Sequence, residues 1–189
     1  AGDAILLLCA TQLKQAGRLK KETVVSTVMA NLGLEEALRQ KGIRLARTQV
    51  GDRYIVEKMR EEGYNFGGEP SGHLIFLDHA TTGDGIVAAL QLLASVVSEK
   101  KKLSELTAAY QAYPQVLENV RVQSRRDLAT IPEIHRKIQE VEKSLGREGR
   151  LLIRYSGTEP LIRVMVEGRD EVKIRQMARD LTTCLEKHL

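Results

Sequence analysis

Two short stretches of this 189-residue chain hold side chains whose types and spacing could do chemistry. One is Arg154-Tyr155-Ser156-Gly157-Thr158-Glu159-Pro160, with Arg163 just beyond. Gly157 lets backbone N–H groups approach an anion, and Ser156 and Thr158 add hydroxyl donors. Two guanidinium forks supply charge with bidentate geometry. A phosphate monoester requires that combination. The same residues also make an ordinary hairpin whose surface arginines pair with Glu159 and Glu167, and the residues alone leave both readings open.

The other stretch is Gly67-Gly68-Glu69-Pro70-Ser71-Gly72-His73. Its glycines have the separation of a P-loop, but His73 stands where lysine belongs, and Leu74 where a hydroxyl should hold magnesium. Glu69 would also set a carboxylate against any phosphate. A carboxylate accepts O–H donors, and Ser71 and His73 donate or accept, so the loop suits adjacent hydroxyls of a sugar. On spacing alone, a tight turn with its polar groups in water is the simpler reading. A third stretch, Thr48-Gln49-Val50-Gly51-Asp52-Arg53-Tyr54, leads from a strand into a helix. Gly51 suits a sharp turn there, and Asp52 is expected to cap the helix.

The elements that must position these loops follow from periodicity. Helices are expected over Gly2–Ala16, Leu34–Lys41 (closed by Gly42), Gly51–Glu62 (closed by Gly63), Gly85–Ser98 (capped by Asp84) and Leu103–Tyr110 (capped by Ser104). Strands are expected over Thr23–Thr27, Ile43–Thr48, Tyr64–Gly68 and His73–Leu77. This is a three-layer α/β domain with a mixed sheet, residues 1–111, and its apolar helix 85–98 should lie against the sheet. The pattern breaks at Ala112-Tyr113-Pro114. Beyond it come a strand Val116–Val122, a helix opened by a Thr130/Glu133 capping box with Pro132 in its first turn, strands Arg150–Tyr155 and Leu161–Glu167, and a helix capped by Asp170. That order, β-α-β-β-α, predicts a small α+β domain over residues 115–189, TATA-binding-protein-like in outline.

Composition removes several function classes. Apolar runs such as Ile86–Leu90 are too short to span a bilayer, and no signal-peptide pattern opens the chain, so no membrane role and a cytoplasmic location are expected. Cys9 and Cys184 are expected to be buried free thiols, and no Cys/His spacing suggests zinc. The net charge is +4, but the first 112 residues carry 14 basic and 13 acidic groups and the rest 15 and 12. Aromatic residues make up 4% and tryptophan is absent. No concentrated basic face or stacking platform emerges, which argues against nucleic acid and for a small anion. Lys100-Lys101-Lys102 reads as a solvated helix end. His79, His135 and His188 belong to no constellation.

Taken in order, the loops resemble the α-D-phosphohexomutase family. Glu69-Pro70-Ser71-Gly72-His73 looks like its sugar-binding loop, and Arg154–Thr158 with Arg163 like the phosphate-binding loop of its last domain. Val50–Tyr54, Gly67–Glu69 and Thr81–Gly85 are most similar to the bacterial phosphoglucosamine mutase branch. The resemblance covers the whole chain and corresponds to the family's third and fourth domains. It implies that Glu69, Ser71 and His73 hold sugar hydroxyls, that Gly51, Asp52 and Arg53 line the site, and that Arg154, Ser156, Gly157, Thr158 and Arg163 grip phosphate. It also implies a phosphoserine loop and a magnesium-binding aspartate loop, and neither is present in this sequence. The chain is therefore expected to be a C-terminal portion with no catalytic residue and no metal ligand of its own. Its expected partners are a phosphosugar and the family's first two domains, with magnesium serving the intact enzyme. Interconversion of glucosamine 6-phosphate and glucosamine 1-phosphate is the implied reaction, and a linker near Ala112–Pro114 would let the last domain close over substrate. The alternatives are a non-catalytic phosphosugar-binding module and a basic nucleic-acid-binding protein.

Overall fold

The computed structural model describes residues 2–146 and 148–189. They form two compact units, one ending at Ala112 and the other spanning Tyr113–Leu189.

The first unit contains α1 (Gly2–Gln15), β1 (Thr23–Thr27), α2 (Leu32–Gln40), β2 (Arg44–Thr48), α3 (Asp52–Glu62), β3 (Phe66–Gly68), β4 (Leu74–Phe76), α4 (Gly85–Glu99) and α5 (Leu103–Leu106). The sheet order is β2-β1-β3-β4, with β1 parallel to β2 and β3, and β4 antiparallel to β3. One face buries Leu6, Leu34, Leu38, Phe66 and Phe76 under α1 and α2. The other buries Val25, Met59 and Ile75 with Ile55 of α3. The crossovers through α2 and α3 run in opposite directions across the sheet. A fixed right hand therefore puts the two helices on opposite faces, giving the expected α/β/α layers. The carboxyl ends of the three parallel strands share one edge, and the strand order reverses there. Open α/β sheets present their ligand crevice at such an edge.

The second unit holds β5 (Gln115–Arg121), α6 (Pro132–Leu145), β6 (Gly149–Tyr155), β7 (Leu161–Gly168) and α7 (Glu171–His188). Its antiparallel sheet has the order β5-β7-β6. Val116, Val120, Ile162, Val164 and Val166 pack under Ile134, Val141, Ile174 and Leu181 of the two helices. Strand residues of the opposite parity, Asn119, Arg163 and Arg154, form one row across the other face.

Several expectations are corrected. Thr130 makes no capping box. Its hydroxyl donates to Asp127 O at 2.7 Å within a 3-10 turn, and α6 opens at Pro132 with Ile131 as its cap residue. Ser104 is not a cap either: Lys102 holds that position, its N–H donating to Glu105 Oε2 at 2.8 Å, and the helix lasts one turn rather than reaching Tyr110. Local side-chain bonds to backbone won over the expected helix starts in both places. The apolar helix α4 meets α1 and the edge strand β4, yet Ile86, Leu90, Leu93 and Val97 are 58–75% exposed. Cys9 is buried, and burial pushes its thiol up to about 12, whereas Cys184 is only half-buried. Asp84 and Asp170 do cap α4 and α7 through their carboxylates. Among the described residues no helix is long and apolar enough to cross a membrane.

The short buried strand β3 carries the Glu69 loop and tolerates no bulk. A Cβ on Gly67 would lie 2.5 Å from Val25 O, 3.0 Å from Ile55 Cγ2 and 3.1 Å from Met59 Sδ. Gly67→Ala should cost roughly 1–3 kcal/mol as an overpacked core position, read as a lower urea midpoint at constant slope. An unchanged midpoint would contradict this packing.

Candidate functional site

In the first unit, two of the stretches read from sequence come together at the carboxyl edge of the parallel strands. Ser26 Oγ of β1 donates to Gly68 O at 2.7 Å and pins the end of β3 where the loop departs. Glu69 N–H donates to His73 O and Gly72 N–H to Glu69 O, both at 2.9 Å, closing a tight turn with Gly72 at φ 101°. The first residues of α1 support it from below. Gly2 N–H donates to Pro70 O at 3.1 Å, and any Cβ on Gly2 would collide with the Glu69 and Pro70 carbonyls.

The turn after β2 faces this loop. Gly51, at φ 132° and ψ 134°, is the cap residue of α3 and makes no side-chain cap. Its N–H donates to Glu69 Oε1 at 3.0 Å. Asp52 is the first residue of α3 and not its cap, which corrects the expectation. Its Oδ2 lies 3.6 Å from His73 Nδ1, and its Oδ1 is buried with no hydrogen-bond partner among the described residues. Gly51, Asp52, Glu69 and His73 thus form one cluster. Arg53 points elsewhere: it is 81% exposed and paired to Glu57 at 2.7 Å. Ser71 is exposed at the loop tip. Glu69 is raised above the ordinary glutamate range, chiefly by burial and then by the neighbouring Asp52 charge, and the Gly51 N–H offsets this only in part. No group of three or more His, Cys, Asp or Glu among the described residues, this cluster included, is disposed to hold a metal ion. Magnesium therefore finds no fitting ligand set here.

In the second unit, β6 and β7 meet at the turn 156–160, and Arg154 sits directly opposite Arg163 in the ladder. Cross-strand partners project to one face with their Cβ atoms about 5 Å apart. Arg163 Nη2 pairs with Glu159 Oε2 at 3.0 Å, while its Nε is buried without a partner among the described residues. The Arg154 side chain makes no hydrogen bond or ion pair among the described residues. Glu167, entirely buried, pairs with Arg150 at 2.6 Å and not with Arg154 or Arg163. The surface-pair reading of this hairpin thus holds for Glu159 alone. Ser156 is 2% exposed, and its Oγ accepts from Glu159 N–H at 3.3 Å. The N–H groups of Gly157 and Thr158 donate to nothing among the described residues. Beside the turn lies a hollow of about 380 Å³ lined by Gln123, Ser124, Arg125, Tyr155, Gly157 and Thr158, among others. The residues 123–125 escaped the sequence reading. Their signal, a polar run after a strand, acquires meaning only once β5 is known to pair with β7.

A pH dependence follows from Glu69. Its folded-state value lies above its unfolded one, so the folded chain holds the extra proton between the two, and stability falls as pH rises through that window. Carbon-detected NMR should find Glu69 titrating above the ordinary glutamate range. Asp52→Asn should move it back down by removing the like charge, and Glu69→Gln should flatten the stability profile there. A Glu69 that titrates normally would contradict the geometry.

Comparison with known proteins agrees with this anatomy. The model for the phosphoglucomutase/phosphomannomutase alpha/beta/alpha domain III matches residues 1–113, and the model for that family's C-terminal domain matches residues 92–183. A phosphoglucosamine mutase of Pelobacter propionicus is 55% identical over 188 residues, which are 100% of this chain and 42% of the relative. One from Syntrophotalea carbinolica is 54% identical, over 100% of this chain and 41% of its own length. The chain thus spans only 41–42% of these relatives. Among solved structures, N-acetylphosphoglucosamine mutase of Aspergillus fumigatus superposes with a TM-score of 0.82 at 22% identity, over 98% of this chain and 43% of that one. A further structure of that enzyme, in complex with GlcNAc-6P and magnesium, gives 0.79 at 22% identity, over 97% and 46%. At such identity the likeness concerns the fold. The resemblance drawn from the loops is borne out, and the chain belongs to the phosphoglucomutase/phosphomannomutase family.

Proposed function

We propose that this chain is the substrate-recognising portion of a phosphoglucosamine mutase, which interconverts glucosamine 6-phosphate and glucosamine 1-phosphate through a phosphoserine and a bisphosphate intermediate. The observation that carries the reading is the anion-ready face of the second unit. Two N–H groups, of Gly157 and Thr158, have no acceptor, and the side chain of Arg154, at the end of the strand that leads into this turn, has no counter-ion, among the described residues. The names of the two bacterial relatives supply the amino sugar, and the fungal neighbour with GlcNAc-6P and magnesium supports the ligand class.

In this reading, Arg154, Arg163, Gly157 and Thr158 bind the phosphate that is not being transferred. Ser156 both shapes the turn, by accepting from Glu159 N–H, and keeps its own O–H free to donate to that phosphate. Glu69 accepts from a ring hydroxyl, chiefly through Oε2, because Oε1 already takes the Gly51 N–H. Ser71 and His73 offer further polar contacts, and Asp52 sets the charge around Glu69 and His73. Gly51 aims Glu69 through its N–H, and Arg53, turned toward Glu57, stays outside the site. Phosphoryl transfer depends mainly on positioning and electrostatics, and this chain contributes the positioning. The phosphoserine and the ligands of the magnesium ion lie outside this sequence, in further domains of a cytoplasmic enzyme.

Isothermal calorimetry with glucosamine 6-phosphate tests the phosphate site. Arg154→Ala should weaken binding about tenfold or more, the loss of a charge-assisted pair. Unchanged affinity would remove Arg154 from the site. The chain by itself should show no mutase turnover, and measurable turnover would refute the placement of the chemistry elsewhere.

A further inference from the structure

The turn at 156–158 is gripped from behind by a residue outside it. Arg125, in the segment after β5, donates through Nη2 to Ser156 O at 2.6 Å, with Gly157 O at 3.4 Å from the same nitrogen. Its segment is itself clamped. The Tyr155 hydroxyl donates to Arg126 O at 2.6 Å and accepts from Arg126 N–H at 3.0 Å, and Val122 N–H donates to Pro160 O at 2.9 Å. Arg125 is exposed and makes no ion pair among the described residues.

The two carbonyls that it touches belong to particular peptides. In a trans peptide the C=O and the N–H of the following residue share one plane and point in opposite directions. The Ser156 carbonyl is thus the back of the Gly157 N–H, and the Gly157 carbonyl is the back of the Thr158 N–H. These are the same two N–H groups that lack an acceptor. A cation on the carbonyl side fixes the tilt of both planes. It also polarises them, so that each N–H becomes a stronger donor.

We infer that Arg125 is a positioning residue for anion binding, aiming the Gly157 and Thr158 N–H groups by holding their peptide carbonyls from the far side. The inference rests on the phosphate reading of this turn and adds to it a residue that need not touch the ligand. A role limited to tying the segment after β5 to the turn would affect stability and leave the two N–H vectors and the affinity as they are.

The test uses ¹⁵N NMR and calorimetry on the chain and on Arg125→Ala, with inorganic phosphate and glucosamine 6-phosphate as probes. In the parent chain both N–H signals should move on adding either probe. In Arg125→Ala the affinity should fall about tenfold, the two shift changes should shrink, and the ligand-free order parameters at residues 157 and 158 should drop. Free guanidinium at low concentration should restore part of the affinity. Should Arg125→Ala melt well below the parent, Arg125→Gln, which keeps most of the length without the charge, is measured in its place. A variant with parental affinity and parental order at both N–H groups would overturn the positioning role and leave the phosphate reading standing. A parent chain that binds neither probe would overturn both.

Discussion

Arg154 and Arg163 stand directly opposite each other on neighbouring strands, and the like charge this places on one face of the sheet is the constraint the second unit has to meet. Arg154 and Arg163 share a row with Asn119, on the sheet face turned away from the two helices. Like charges in this relation destabilise a sheet unless something negative joins them. Glu159 answers one of them from within the turn. The remaining charge has no answer among the described residues, and the turn that follows its strand holds backbone donors in the same condition. The fold pays for this tension with a core of Val120, Ile162, Val164 and Val166 on the opposite face. In the proposed function, the substrate's phosphate completes the balance.

The first unit solves a different problem with backbone and carboxylates. Parallel strands end together at one edge, and β2 and β3 each release a loop there. The Ser26 hydroxyl and the Gly2 N–H hold the carbonyls on either side of Glu69, so the carboxylate is aimed by its scaffold and not by its own rotamer alone. Burying Glu69 costs electrostatic energy and the Asp52 charge beside it adds to the cost, so burial first and Asp52 second raise the proton affinity of Glu69. Such tension between neighbouring acids is common at sites that bind polar ligands.

Much of this was legible in the sequence because much of it is local. Asp84 and Asp170 announce their helices, Gly63 ends one, and the β-branched run at residues 23–27 is a strand buried along its whole length. Glu69, His73, Arg154 and Arg163 were picked out by type and spacing. What escaped depended on competition or on distance along the chain. Thr130 had the right neighbours for a cap but found a nearer acceptor in Asp127 O. The apolar composition of α4 gave no hint of which side would meet α1 and β4. The bond from Gly51 to Glu69 spans 18 residues, and that from Arg125 to Ser156 spans 31. Neither has a periodic signature, since both follow from strand order and register.

The conformation of Gly51 has an evolutionary reach beyond its hydrogen bond. A backbone at φ 132° and ψ 134° is open to glycine and to almost no other residue. An added Cβ would also meet the Tyr54 ring at 3.4 Å. Selection acting on the turn is therefore left with a one-letter alphabet at this codon, while Arg53, two positions along and out in the solvent, can drift with little consequence for folding. Lineages that retune the pocket would be expected to do so around this fixed point rather than through it.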